Sequence, residues 1–265
     1  MNNTFSIRAA FGIVVVSILS AFLAGGLVLG IGLSNPDSPQ KFYTFISFII
    51  GQGFMLVPLV WFLISRQEPV FKRRRLNPIS SSTAGFTVLL SLGLIILSDE
   101  LDRIIQMFIQ APEYIIDLNG LLRPETITGF ILLFLGVAIL APLGEELLFG
   151  GFLQQVLEKH WKDVNKAILV TALFFALIHM NPYWFAQIYI LGIMLGFLSW
   201  KTGSVLPSLI LHGLNNTMAM IFSFSEAGDG NVYIWNGHVA PWIIIIALAC
   251  TVIGFKVING LRVQA

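Results

Sequence analysis

The chain has 265 residues, of which 56% are hydrophobic and only 11% charged, and its mean hydropathy is +0.84. Soluble domains carry about 25% charged residues, so the composition excludes a soluble globular protein and places the chain in a membrane. The net charge of +1 gives no reason to expect a nucleic-acid partner, and the single cysteine, Cys250, excludes an intrachain disulfide and a cysteine-based zinc site.

A membrane-crossing helix needs about 20 mostly apolar residues. Segments of that kind fall at 9–33, 42–65, 83–98, 127–149, 166–181, 183–200, 204–224 and 239–259. The expected fold is therefore all-α: a polytopic bundle of about eight transmembrane helices forming a single integral membrane domain, 1–265. Within it, 1–126 supplies N-terminal helices and an outer loop, 127–222 a core, and 223–265 a loop and the last helix. The apolar run after Arg8 exceeds the 7–15 residues of a signal-peptide core and lacks a clear cleavage site, so it reads as a retained first span. The third, fifth and sixth spans are short enough to tilt or re-enter.

Lysines and arginines set the orientation. With the N-terminus in the cytoplasm and the spans alternating, Arg8, Arg66, Lys72, Arg73, Arg74, Arg75, Lys159, Lys162, Lys166, Lys201, Lys256 and Arg262 fall inside. Only Lys41, Arg103 and Arg123 fall outside. The sequence thus predicts a multi-pass protein of the plasma (inner) membrane with both termini cytoplasmic. The Lys72–Arg75 cluster reads as an anchor beside anionic lipid, which makes membrane lipid a partner.

Gly26 with Gly30, and Gly192 with Gly196, have the four-residue spacing that lets transmembrane helices approach closely. The connection 98–126 is acidic, with Asp99, Glu100, Asp102, Glu113, Asp117 and Glu125. Its pattern Leu101, Ile104-Ile105, Phe108-Ile109 predicts an amphipathic helix on the outer surface, without a catalytic role. The Gly- and Asn-rich stretch 223–238 reads as an exposed turn region. No internal repeat is evident.

Chemistry concentrates in Pro142-Leu143-Gly144-Glu145-Glu146, which follows the uncharged run 127–140. A carboxylate at bilayer depth costs roughly 3 kcal/mol on insertion scales, so two in succession require a polar cavity and partners. Pro142 leaves the carbonyl of Ala138 without its usual donor and favours a kink, and Gly144 permits close approach. Neighbouring helix positions differ by about 100°, so Glu145 and Glu146 cannot both address one cavity centre. The available partners lie on other spans: His179 on the fifth, and His212 with Asn216, one helical turn apart, on the seventh. His160 and His238 fall in loops.

A carboxylate with a histidine can deprotonate a water, and a second histidine with an amide can donate to the oxyanion that forms when that water attacks a carbonyl. Glu145, His179 and His212 could equally ligate a divalent metal such as zinc, and no cofactor is firmly implied. Counted from nominal span ends, Glu145 lies about two turns nearer the cytoplasmic side than His179. A fourth helix extending past Gly150 would remove that mismatch.

Glu-Glu-x-x-Phe-x-Gly, then Phe-x-x-x-His, then His-x-x-x-Asn, in successive apolar segments over about 127–222, resembles the CPBP family of CAAX proteases and bacteriocin-processing (Abi) membrane proteins. The resemblance implies an eight-helix bundle with a chamber open to the cytoplasm and the lipid. It implies Glu145 as the water-activating glutamate with Glu146 beside it, His179 sharing the water, and His212 with Asn216 at the oxyanion. Gly150 stands where the family motif carries an arginine that orients or neutralises the glutamates, and Gln154 could supply a hydrogen bond but no charge.

The reading is an intramembrane endopeptidase (a hydrolase) acting on a peptide or membrane protein. Prenylated C-terminal Cys-a-a-X substrates belong to eukaryotic members of the family. The alternatives are a catalytically silent relative serving as a scaffold, immunity or regulatory protein, for which Gly150 speaks, and a proton-coupled transporter.

Overall fold

In hydrocarbon every backbone N–H and C=O must be satisfied within its own segment, so long apolar stretches become helices. A computed structural model describes residues 5–35, 37–69, 75–110, 112–113, 122–224 and 232–263. Among these residues each of the eight expected spans is a helix. They are α1 (Ile7–Leu33), α2 (Gln40–Ser65), α3 (Ser81–Phe108), α4 (Ile127–Trp161), α5 (Val164–Ile178), α6 (Phe185–Thr202), α7 (Leu206–Phe224) and α8 (Pro241–Gly260). Six are long and apolar enough to cross a membrane, and α5 is a shorter apolar helix.

Local chemistry sets the boundaries. Ser6, Ser80, Thr126 and Asp163 cap α1, α3, α4 and α5 by accepting from the backbone N–H three residues on. Lys162 and Gly203 end α4 and α6 in the left-handed conformation. Burial is inverted relative to a soluble protein. Leu23, Leu27 and Ile31 of α1 and Ile245 of α8 point outward, as lipid-facing side chains do. Leu59, Leu63, Leu148, Leu153, Leu157 and Leu198 fill the interior.

Three differences from the sequence reading matter. First, α3 runs on to Phe108, so Leu101, Ile104, Ile105 and Phe108 are its last turns rather than a separate surface helix. The i, i+3, i+4 pattern is the same in both cases, and only packing tells them apart; Asp117 lies outside the described residues. Second, α4 does extend past Gly150, as one 35-residue helix interrupted by two wider π turns at Leu135–Leu140 and Phe149–Leu153. At about 1.5 Å per residue, Glu145 then stands about 24 Å from the Trp161 end of α4 and His179 about 22 Å from Val164, so the depths agree. Third, Gly26 and Gly30 have open space where a Cβ would be. On α1 it is Gly25, held against Ser47 O at 2.9 Å from an ideal Cβ, that lets α2 approach. Gly192 and Gly196 do pack, against Ala172 and Gln154.

Two further expectations fall partly outside the described residues. Of the Lys72–Arg75 cluster only Arg75 is described, and of 223–238 the described part contains a small hairpin pairing Ile234 with Val239 and Trp235 with His238. His238 is not idle there: its Nδ1 lies 2.8 Å from Glu100 Oε1 on α3.

Candidate active site

The site begins with a backbone fault in α4. In the first π turn the N–H of Ala141 bonds to Gly136 O, five residues back. The next N–H in that register belongs to residue 142, a proline without one, so it is the carbonyl of Val137 that loses its donor. The sequence expectation had assigned this loss to Ala138, which holds only for an uninterrupted α-helix. Asn216 supplies the missing donor, its Nδ2 lying 2.9 Å from Val137 O. Gly213, one turn earlier on α7, lets the helices close: a Cβ there would sit 3.2 Å from Ala138 O. One amide hydrogen of Asn216 is therefore committed to structure and one remains for chemistry.

Held against α7 in this way, Glu145 and Glu146 both reach His212. Glu146 Oε1 is 3.0 Å from His212 Nδ1, and Glu145 Oε2 is 3.9 Å from His212 Nε2. The 100° between successive residues, which forbids both acids one cavity centre, lets them take opposite edges of one imidazole. All three side chains are less than 10% exposed. His179 completes the group, its Nε2 also 3.9 Å from Glu145 Oε2. Its Nδ1 lies 2.7 Å from Phe175 O, and a carbonyl only accepts, so Nδ1 carries the proton and Nε2 presents a lone pair. The chain turns away just here because Met180 is left-handed and Pro182 follows. The Phe175 ring stands between the two imidazoles, 4.9 Å from His179 and 5.5 Å from His212. Glu145 Oε2 is buried and has no hydrogen-bond partner among the described residues.

His179, His212 and Asn216 line a cavity of about 510 Å³ between α3, α5, α6 and α7. Its rim includes Asp99 and Asp102, from the stretch expected to be a bystander. Asp102 accepts from Trp184 Nε1 at 3.2 Å and Gln187 Nε2 at 3.1 Å. The cavity occupies the half of the bundle where α3, α5 and α7 end and α6 begins. Arg75, Lys162, Lys166 and Lys201 stand at the opposite helix ends. The cavity thus lies away from the basic helix ends, which the sequence expectation places in the cytoplasm.

Position 150 is closely confined. A Cβ on Gly150 would lie 3.2 Å from Ser199 Oγ and 3.4 Å from Glu146 Oε2. Arg75 reaches this place from the α2–α3 connection: Nη1 lies 3.5 Å from Gly150 O, and Nη2 pairs with the half-buried Glu158. Gln154 binds Glu158 Oε1 and Gly196 O, both at 2.9 Å. Sequence reading missed Arg75 and Ser199, since nothing in linear order links them to the acids.

The donor chemistry of Glu145, His179 and His212 suits zinc, but the spacing does not. Donors about 2.0–2.1 Å from a tetrahedral ion stand roughly 3.3 Å apart, against the 3.9 Å found twice here. Among the described residues no group of three or more His, Cys, Asp or Glu is arranged to hold a metal.

Residues 127–218 match the family model described as Rce1-like, type II CAAX prenyl endopeptidase Rce1-like. This segment is thus similar to the CPBP/CAAX-protease family. The matched segment runs from the start of α4 into α7, so every CAAX-protease motif residue discussed above lies within it. Comparisons with curated proteins and with solved structures gave no match. The family that residues 127–218 resemble is one of membrane hydrolases that act on peptides or proteins.

Proposed function

We propose that the protein is an intramembrane endopeptidase that hydrolyses a peptide bond with a water held between Glu145, His179 and His212. The observation that carries this is the pair of 3.9 Å gaps from Glu145 Oε2 to the two Nε2 atoms. They are too long for direct hydrogen bonds, and one oxygen about 2.8 Å from each atom would span both. The water gives a proton to Glu145 while its second hydrogen points at the His179 Nε2 lone pair. Its oxygen bonds to the carbonyl carbon, and the carbonyl electrons become an oxyanion.

His212 has one proton in its Nδ1 contact with Glu146 and one on Nε2, which donates to that oxyanion beside the uncommitted hydrogen of Asn216. Collapse breaks the C–N bond, and Glu145 returns its proton to the leaving amine. The orientation proposed with it has both termini in the cytoplasm, from the distribution of Lys and Arg.

A second reading, a catalytically silent scaffold, immunity or regulatory protein, rests on Gly150. Against it stands Arg75, whose guanidinium supplies positive charge at the Gly150 carbonyl. The test is cleavage of a transmembrane and peptide substrate library by the purified full chain, beside Glu145→Gln and His179→Ala. Each substitution is expected to lower the rate at least about 10²-fold, the usual contribution of general base catalysis. Activity that survives both removes the peptidase assignment.

A further inference from the structure

The described residues close one end of the bundle and open the other. At the closed end Asn77 Nδ2 donates to Gly203 O at 2.6 Å, Ser204 Oγ donates to Asn77 O at 2.6 Å, and the N–H of Val205 donates to Arg75 O at 3.0 Å. Lys201 to Val205 are all buried beneath this lattice of bonds. Deeper in, Gln154, Glu158 and Arg75 fill the space between the lattice and the acids. This is the end that carries Arg75, Lys162, Lys166 and Lys201, which the positive-inside rule assigns to the cytoplasm. The cavity leads the other way, from His212 and His179 past Asp102 and Trp184 to the opposite ends of the helices.

The wall also discriminates by charge. Among the described residues it carries two carboxylates, Asp99 and Asp102, and no lysine or arginine. The nearby Arg103 is held by Asp99 at 3.0 Å. A substrate whose free C-terminal carboxylate lay close to the bond to be cut would bring that charge past Asp99 and Asp102, with no lysine or arginine among the described lining residues to receive it. An internal segment of a chain brings no such charge.

We propose that the chamber is loaded from the non-cytoplasmic side of the membrane, and that its substrate is an internal segment of a peptide or membrane protein rather than a free C-terminus. The cleavage half of this rests on the hydrolytic reading above, and the access half does not.

The test uses the full chain with Cys250→Ala as background and one new cysteine at a time, treated with a membrane-impermeant charged thiol reagent in right-side-out and inverted vesicles. Ser98→Cys, on the cavity wall, is expected to react in right-side-out vesicles. Asn165→Cys, exposed at the basic end, is expected to react only in inverted ones. The reverse pattern, or a Ser98→Cys that reacts from neither side, overturns the access proposal.

The second arm grafts one peptide segment onto either side of a single-span anchor, and compares free peptides ending in a carboxylate or an amide close to the bond. Cleavage is expected only on the outer side, with the carboxylate slowing it roughly tenfold relative to the amide. Cleavage on the inner side, or indifference to the carboxylate, refutes the substrate proposal. Labelling as expected with no reporter cut sinks the peptidase reading and leaves the access face standing.

Discussion

Glu146 and His212 form a buried ion-pair-type contact at 3.0 Å with both side chains 3% exposed, and its removal has a calculable consequence. Glu146→Ala leaves the Nδ1 side of His212 without a partner at a position where both side chains are buried. Breaking a buried pair from one side costs about 3–5 kcal/mol. Glu146→Gln keeps an acceptor for Nδ1 and loses only the difference between a charged and a neutral hydrogen bond, about 1 kcal/mol. Glu146→Leu with His212→Phe removes both polar partners at once, and buried pairs replaced by apolar groups are near neutral or stabilised.

Glu125→Ala is the control: its pair with Lys41 is 2.6 Å long but Glu125 is 74% exposed, so the loss is within about 1 kcal/mol. The assay is thermal unfolding of the purified full chain in one detergent, followed by tryptophan fluorescence. At about 2–4 °C per kcal/mol, alanine should lower Tm by roughly 6–20 °C and glutamine by roughly 2–4 °C. The double variant should recover most of the alanine loss. An alanine variant no less stable than the Glu125 control, or a double variant no better than alanine alone, refutes the reasoning that this pair is a closed unit.

Other consequences follow from single contacts. Gly150→Arg places a side chain where a Cβ already meets Ser199 Oγ at 3.2 Å, so it should destabilise by about 1–3 kcal/mol and lower rather than raise any proteolytic rate; a gain in rate would show that Arg75 does not fill the role of a cation there. Gly254→Ala, whose Cβ would stand 2.9 Å from the backbone nitrogen of Leu90, should lower Tm measurably, while Gly26→Ala, with nothing within 4 Å, should leave it unchanged. Tyr233, outside the spans, has its phenol pushed up, first by burial and then by Asp99, whose Oδ2 accepts its O–H at 2.9 Å. The unfolded tyrosine ionises near its ordinary value of about 10 while the folded one stays neutral, so the folded state binds more protons and stability falls as pH rises above that value. Tyr233→Phe should flatten this alkaline slope in a pH series of unfolding midpoints.

The helices were legible because their signal is bulk apolarity over 20 residues, which no tertiary contact needs to supply. The motif acids and imidazoles were legible because charge and imidazole stand out within apolar runs. Their mutual distances were not, since these depend on how far α4 continues beyond Gly150, and Phe149 to Leu153 gives no warning of a wider turn. The role of Asp102 was hidden for a related reason: an amphipathic stretch after a span reads equally as a surface helix or as the span's own last turns. Arg75 was hidden by distance alone, 75 positions from the carbonyl it meets.

The wider turn at Leu135–Leu140 makes the reactive geometry depend on how the backbone closes ahead of the acids as well as on which residues they are. Closing that turn in the ordinary four-residue way with all its residues kept would swing Glu145 and Glu146 by about 100° around the helix axis. Every motif letter would survive such a change. A relative with all the right side chains and the same number of residues, but an ordinary turn here, would point its carboxylates into the wrong helix, and the backbone ladder would show the difference before any chemistry did.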